Sequence, residues 1–434
     1  MIMSKNRVFV ILLGDFISFW VSFFIVLSLR FGHLFPKEAI QTHLEPFLIL
    51  CFSWILCFFL FGLYDLFTIR PTIPHIKRFA VALITCFIMG IFLFYLVPAF
   101  GISPKTNLLF QVIGFGIFSF SLRRVFYLLY SKQIVRPAIL VGKTSYLDEL
   151  YNIIKTNPQL GLSLVSYSND LHQSLGKYAN LDNAVFIFEK NTNEIPEKDI
   201  LTLYEKKTEV LDVAKAYEKY LFKIPIDYIS QSWIVENLNT TSNFFYDFII
   251  RMIDIIFSIL ILIIFSPFLL ISSIFIYFYD HGPIFYTQDR VGLNGKIFKF
   301  YKLRSMVINS DKDGTVWTAK NDTRITPVGR IIRKLHIDEI PQMINIIKGD
   351  LAFIGPRPEW VEFVKTFEKT IPHYEIRHIV RPGFTGWAQI KYQYAHNLED
   401  SKEKFQYDLY YIKNKNIFLD FGIVLKTIQI IFTH

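Results

Sequence analysis

Three features predict a membrane protein built from an N-terminal four-helix transmembrane bundle, a central small α/β domain and a mainly helical C-terminal domain. Four apolar runs of about 20 residues open the 434-residue chain, short apolar strands follow, and a fifth apolar run interrupted by a Ser-Pro step leads into a polar, motif-rich end. The expected boundaries are 1–130, 131–240 and 241–434. The composition agrees. Hydrophobic residues make up 52% of the chain, with 45 Phe, and a mean hydropathy of +0.34 exceeds that of an ordinary soluble protein. A net charge of +9 suits anionic lipid or phosphate-bearing partners. No zinc-finger spacing and no aromatic RNP motif is present, so nucleic acid is not an expected partner.

The bundle is read from apolar runs at 8–29, 46–64, 79–98 and 107–122. The first is too long for a signal-peptide core, and no small-residue cleavage site follows it. Lys5 and Arg7 precede it, Arg70, Lys77 and Arg78 separate the second and third runs, and Arg123, Arg124, Lys132 and Arg136 follow the fourth. The intervening loops hold only Arg30, Lys37 and Lys105. The positive-inside bias therefore places the N-terminus and everything after the fourth run in the cytoplasm. Asp15, inside the first run, is either functional or packed against a polar neighbour. Cys51, Cys57 and Cys86 all fall in apolar runs and read as small buried hydrophobes.

The stretches "PAILVGK", "LSLVSYS" and "NAVFIFEK" read as strands of a small, degenerate Rossmann-like unit. A dinucleotide site would need G-x-G-x-x-G after the first strand, but "VGKTSY" supplies only Gly142. This domain is expected to be a non-catalytic spacer or an oligomerisation module. The missing fingerprint weakens one alternative, a membrane-anchored NAD-dependent nucleotide-sugar epimerase or dehydratase. A second alternative is a non-enzymatic membrane scaffold or receptor.

From Ile255 to Tyr279 no residue is charged, and Ser266-Pro267 stands at the middle. Proline removes one helical hydrogen bond, and a serine hydroxyl can satisfy the freed carbonyl. A kinked span and a re-entrant helix over about 246–279 compete on geometry. Re-entry is favoured, because crossing would put the following residues outside the cell, away from nucleotide-activated substrates. The end, "IFLDFGIVLKTIQIIF", either lies at the interface or packs as core, with the interface preferred.

The polar end sets cations beside turn formers: Lys302, Arg304, Arg324, Arg330, Arg333, Lys334, Arg357 and Arg381. Turns expose backbone N–H groups and Arg forks match phosphate oxygens, so the clustering predicts a phosphate site. Arg357 stands between Pro356 and Pro358, whose fixed φ angles hold its loop at low entropic cost. In "LHIDEIPQ" (335–342), Asp338 and Glu339 are adjacent just before Pro341. The segment reads as a helix start, with Asp338 as its cap and Gly349 as its end. His336 and His373 read as surface or packing residues.

Four strings in order, "KLRSM", "DEIPQ", "GPRPE" and "RPGFTGWAQ", behind the Ser-Pro segment, make residues 246–434 resemble the bacterial sugar transferases. These are polyprenyl-phosphate hexose-1-phosphate transferases (monotopic phosphoglycosyl transferases), and the whole chain resembles their long form. The resemblance makes 241–434 the catalytic domain. It implies transfer of a sugar-1-phosphate from a UDP-sugar to undecaprenyl phosphate with release of UMP, using Mg²⁺ and a phosphosugar–aspartate intermediate. This would be the first membrane step of exopolysaccharide, capsule or O-antigen synthesis at the bacterial inner (cytoplasmic) membrane. Asp338 is then the nucleophile and Glu339 a Mg²⁺ ligand, which Asp338 can join. Lys302, Arg304, Arg324, Arg333, Arg357 and Arg381 become phosphate or nucleotide contacts. A homodimer is compatible with this reading. Ile340 replaces the usual Leu, and "IKYQYAHNLED" after "GWAQ" departs from the common pattern, leaving the sugar undefined.

Overall fold

The computed structural model describes all residues except 1, 35–36, 66–68, 71, 97–104, 134, 190–195, 239–243, 309–321, 393–396 and 434. It falls into two compact units, residues 1–222 with 428–434, and residues 223–427. Among the described residues, five helices are long and apolar enough to cross a membrane, four in the first unit and one in the second.

In the first unit, α1 (Ile2–Phe31), α2 (Lys37–Leu60), α3 (Ile73–Leu96) and α4 (Lys105–Leu128) coincide with the four apolar runs. They pack through aromatic rings. Phe19 meets Trp54 edge-on at 5.3 Å, and Phe58 lies 5.0 Å from Phe115. Within lipid, such packing and buried polar contacts replace the hydrophobic drive as the source of helix association. Asp15 of α1 finds its partner on α4. Its Oδ1 and Oδ2 accept from Nη1 and Nη2 of Arg123 at 2.6 and 2.7 Å. Ser119 Oγ donates to the same carboxylate at 2.6 Å. The guanidinium also lies over the rings of Phe58, Tyr64 and Phe79. Asp15 is thus a charge-paired clamp between α1 and α4.

The α/β part runs β1 (Arg136–Val141), α5 (Ser145–Thr156), β2 (Leu162–Ser168), α6 (Leu171–Tyr178), β3 (Val185–Phe188), α7 (Glu197–Glu205), β4 (Glu209–Asp212) and α8 (Val213–Tyr220). The four strands are parallel in the order β2-β1-β3-β4. "EVLD" is a strand that its four residues do not announce. Gly142 has φ +130°, and a side chain there would put Cβ 2.4 Å from Glu189 Cβ. Glu189 Oε2 accepts the Lys143 N–H at 2.7 Å. A carboxylate therefore sits at the turn leading into α5, the place where a dinucleotide fold receives a phosphate.

The second unit runs α9 (Gln231–Asn237), α10 (Phe244–Asp280), β5 (Phe285–Val291), β6 (Ile297–Leu303), α11 (Pro327–Lys334), α12 (Gln342–Lys348), β7 (Ala352–Ile354), α13 (Val361–Thr370), β8 (Gly383–Thr385), α14 (Trp387–Lys391), α15 (Leu398–Asn414) and α16 (Ile417–Thr433) up to residue 427. β5 and β6 form an antiparallel hairpin, and β7 pairs with β8 in parallel. The break expected at Ser266-Pro267 is not an interruption, since α10 is one continuous helix of 37 residues. Pro267 cannot bond the Ile263 carbonyl four residues back, and Ser266 Oγ donates to that oxygen at 2.8 Å instead.

One stripe of α10 lies on the unit over nearly the whole helix. Arg251 caps α12 by donating to the Ile346 and Ile347 carbonyls at 2.6 and 2.8 Å. Leu262 packs with Phe300, Met343 and Ile346, and Ile276 packs with Leu303, Ile332 and Ile337. At its far end Asp280 pairs with Arg304, the residue just after β6. The rest of α10 exposes a row of large apolar residues that includes Phe257, Ile264, Phe268, Phe275 and Phe278. On α16, Ile423 and Asp420 are buried while Phe418 and Phe421 are exposed, so packing and an outward apolar face coexist.

Removing one member of the Asp15–Arg123 pair leaves a buried charge unpaired. Arg123→Met should lower stability by about 3–5 kcal/mol, and Asp15→Leu combined with Arg123→Met should recover most of the loss. Thermal unfolding of the purified protein in detergent checks both.

Candidate active site

Asp338 and Glu339 sit in a tight helical turn, Ile337–Glu339, between α11 and α12. His336, just before it, adopts a left-handed conformation with φ 54°, which turns the chain sharply at the end of α11. Helix α12 begins at Gln342 behind Pro341, no side chain caps it, and it ends at Gly349 with φ +95°. The expectation that Asp338 caps this helix is therefore corrected. The tight turn delays the helix by three residues and points the carboxylate elsewhere. With about three residues per turn, neighbouring side chains diverge by about 120°.

The two acids have opposite environments. Glu339 Oε1 accepts from Lys302 Nζ at 2.8 Å and from Arg357 Nη2 at 3.0 Å. Burial would raise its pKa, but the charges and hydrogen bonds of Lys302 and Arg357 overcome this and hold it well below the usual carboxylate range. Asp338 is only 6% exposed, and among the described residues its carboxylate takes no hydrogen bond and no ion pair. Burial pushes its pKa up to about 6, opposed by Lys302 and assisted by the Glu339 charge. Lys302 itself is lowered by burial, with Glu339 opposing. Arg357 is raised, chiefly by Glu339.

The structure brings some of the expected cations to this pair and not others. Lys302 and Arg357 touch it. Arg333 is close enough for its charge to act on Asp338, and its Nε donates to Ser305 Oγ at 2.9 Å. Arg304 is held at the end of α10 by Asp280. Arg324 forms a fork with Asp322, Nη2 to Oδ2 at 2.6 Å. Arg381 lies near Arg251 and Asp254 at the start of α10. His336 and His373 are both left-handed turn residues.

Among the described residues no group of three or more His, Cys, Asp or Glu side chains converges as a metal cage. Mg²⁺ usually needs only one or two carboxylates, completed by waters and substrate phosphate oxygens. The unbonded Asp338 carboxylate and the second Glu339 oxygen fit that donor set.

Arg357 is carried by the loop 355–359, which is packed backbone to backbone on residues 382–386. A Cβ on Gly383 would lie 2.0 Å from the Gly355 nitrogen, and one on Gly386 would lie 2.1 Å from the Gly355 oxygen. Only glycine permits this approach. Beneath the loop lie residues that single-residue reading missed. Arg377 pairs with Asp408 at 3.0 Å, and His378 beside it is buried. Their sequence signal was weak, since "HYEIRHIV" looks like an ordinary polar turn.

Residues 245–434 match the family described as Bacterial sugar transferase. The chain is similar to the UDP-N-acetylgalactosamine-undecaprenyl-phosphate N-acetylgalactosaminephosphotransferase of Aeromonas hydrophila, at 41% identity over 52% of this chain and 52% of that protein. It is also similar to a UDP-glucose:undecaprenyl-phosphate glucose-1-phosphate transferase of Klebsiella pneumoniae, at 38% identity over 41% of this chain and 39% of the relative. A Caulobacter vibrioides protein of the same description is 34% identical over 42% of this chain and 69% of its own length. The match thus spans about half the length of the Aeromonas relative and less of the Klebsiella one.

Burial, then the neighbouring Arg377 charge, lowers the His378 pKa to about 3. The folded ring stays neutral while the unfolded ring takes a proton below about pH 6.5, so stability is lost as pH falls from about 6.5 towards 3, by up to about 1.4 kcal/mol per pH unit. His378→Phe should flatten this acid limb, as measured by unfolding midpoints between pH 7 and pH 5.

Proposed function

We propose that this chain, which belongs to the bacterial sugar transferase family, transfers a sugar-1-phosphate from a UDP-sugar to undecaprenyl phosphate through a phosphosugar–aspartate intermediate on Asp338. The observation that carries the reading is the pairing of a bare, buried Asp338 with a Glu339 neutralised by Lys302 and Arg357. At pH 7 a carboxyl with a pKa of about 6 is mostly ionised, and lacking hydrogen bonds it has no partner to shed before attack.

In the first half-reaction an Asp338 oxygen bonds to the phosphorus that bears the sugar, and the bond from that phosphorus to the UMP oxygen breaks. UMP leaves with the bonding pair. In the second, an oxygen of undecaprenyl phosphate bonds to the same phosphorus and the acyl-phosphate bond breaks. Asp338 is regenerated, and the product is an undecaprenyl-diphosphate-sugar. Lys302 and Arg357 stand where they can follow the charge that develops on the departing phosphate. Mg²⁺, held by Glu339 and Asp338, would supply further neutralisation of the donor diphosphate.

Membrane topology follows the same reading. Both ends of α10 bond to the catalytic unit, through Arg251 and through Asp280. A helix of 37 residues has a contour length of about 55 Å, well beyond the ~30 Å of hydrocarbon. Two tethered ends and an outward apolar face support a helix that enters and leaves the cytoplasmic leaflet, with the first four helices as full spans. The membrane would be the bacterial inner membrane, and the reaction the opening step of an exopolysaccharide, capsule or O-antigen. The relatives' names specify N-acetylgalactosamine in one case and glucose in the others, so the donor is chosen by assay.

Purified protein incubated with undecaprenyl phosphate, Mg²⁺ and a panel of UDP-sugars should release UMP with at least one donor. Asp338→Asn should abolish release, a loss of at least about 1,000-fold. Release by Asp338→Asn at the wild-type rate would exclude the aspartyl intermediate. In a background lacking Cys51, Cys57 and Cys86, Tyr279→Cys should be labelled by a membrane-impermeant thiol reagent only from the cytoplasmic side. Labelling from the far side would make α10 a full span.

A further inference from the structure

We propose that two buried arginines outside the carboxylate pair, Arg290 and Arg377, are positioning residues that hold the 355–359 loop and so aim Arg357 at Glu339. The inference rests on the reading that Arg357 serves the transfer.

The loop cannot hold itself. Pro356 and Pro358 have no N–H, so two of its five residues donate no backbone bond. Four consecutive carbonyls are instead each bonded from outside. The Pro356 oxygen accepts from the Gly383 N–H at 2.9 Å, and the Glu359 oxygen from the Val291 N–H at 3.1 Å. Between them, the Arg357 oxygen accepts from Arg377 Nη2 at 2.9 Å, and the Pro358 oxygen from Arg290 Nη1 at 2.9 Å. The two carbonyls flanking the Arg357–Pro358 bond are thus held by guanidinium groups.

Each guanidinium is itself fixed. Arg377, 5% exposed, is anchored by Asp408 of α15 at 3.0 Å and by the Tyr374 hydroxyl. Arg290 lies between the rings of Phe300 and Trp360, 5.3 Å from each centroid, with Glu359 at 3.8 Å. The chain of contact runs from Asp408 through Arg377 and the Arg357 backbone to the Arg357 Nη2–Glu339 Oε1 bond. A buried arginine is costly unless its charge is paired. Two of them spent on the carbonyls of one loop mark its position as the thing being held. Lysine would keep the charge but lose the planar fork that reaches two partners at once.

The test is a double-mutant cycle on the full chain in lipid nanodiscs, following UMP release with the best donor. Arg290→Lys and Arg377→Lys should each lower kcat/KM by about 10- to 100-fold, with unfolding midpoints near wild type. In an Arg357→Ala background the same changes should cost less than about twofold, because they act through Arg357. Hydrogen–deuterium exchange gives a readout independent of turnover. Protection of the Gly383 and Val291 amides should fall about tenfold or more in Arg377→Lys or Asp408→Asn, while the β1 and β3 amides stay unchanged. Additive losses in the cycle, or unchanged protection at Gly383 and Val291, would overturn the proposal. If the wild type releases no UMP with any donor, the transferase reading fails, and the exchange result alone decides whether the arginines hold the loop.

Discussion

One carboxylate oxygen, Oε1 of Glu339, receives both the Lys302 ammonium and the Arg357 guanidinium, and those cations arrive from separate parts of the second unit. Lys302 is the penultimate residue of β6, whose hairpin with β5 is read from seven paired positions. Arg357 comes from a proline-bounded loop wedged against residues 382–386. Two adjacent acids, one buried and one half-buried, repel, and desolvation raises the pKa of both. Neutralising Glu339 twice over relieves that conflict, while Asp338 takes no hydrogen bond or ion pair among the described residues. The result is an asymmetry, with Glu339 held ionised by two cations and the Asp338 pKa raised by burial.

Helix α10 supplies the platform. Its stripe facing the unit carries Arg251, Asp254, Ser258, Ser272 and Ile276, while its other faces are apolar and exposed. The Ser266 hydroxyl on the Ile263 carbonyl lets Pro267 sit in the middle without an orphaned acceptor. The platform reaches the site directly: Ile276 packs on Ile337, the residue before Asp338. A change in the seating of α10 would therefore be felt at Asp338.

The parallel sheet of the first unit tells a different story. It has the strand order and the helix-leading turn of a nucleotide fold, yet Glu189 places a negative charge at that turn. A phosphate would be repelled there. The missing glycines and the resident carboxylate point the same way.

Much was legible from residue order alone. Runs of apolar residues mark four helices because a span must satisfy every backbone group internally, and the acid pair, the proline-bounded arginine and Gly349 were visible as local patterns. Other features were not. "EVLD" is a strand because β3 offers it an edge, and the left-handed His336 delays α12 so that Asp338 turns rather than caps. Sequence could name eight cations but could not sort them. Arg304 went to Asp280, Arg324 to Asp322, and Lys302 and Arg357 to Glu339. The sequence by itself determined the long apolar helices and the family, since these depend on composition and short spacing. Only the tertiary structure decided which charge meets which, because pairing depends on distances between residues far apart in the chain.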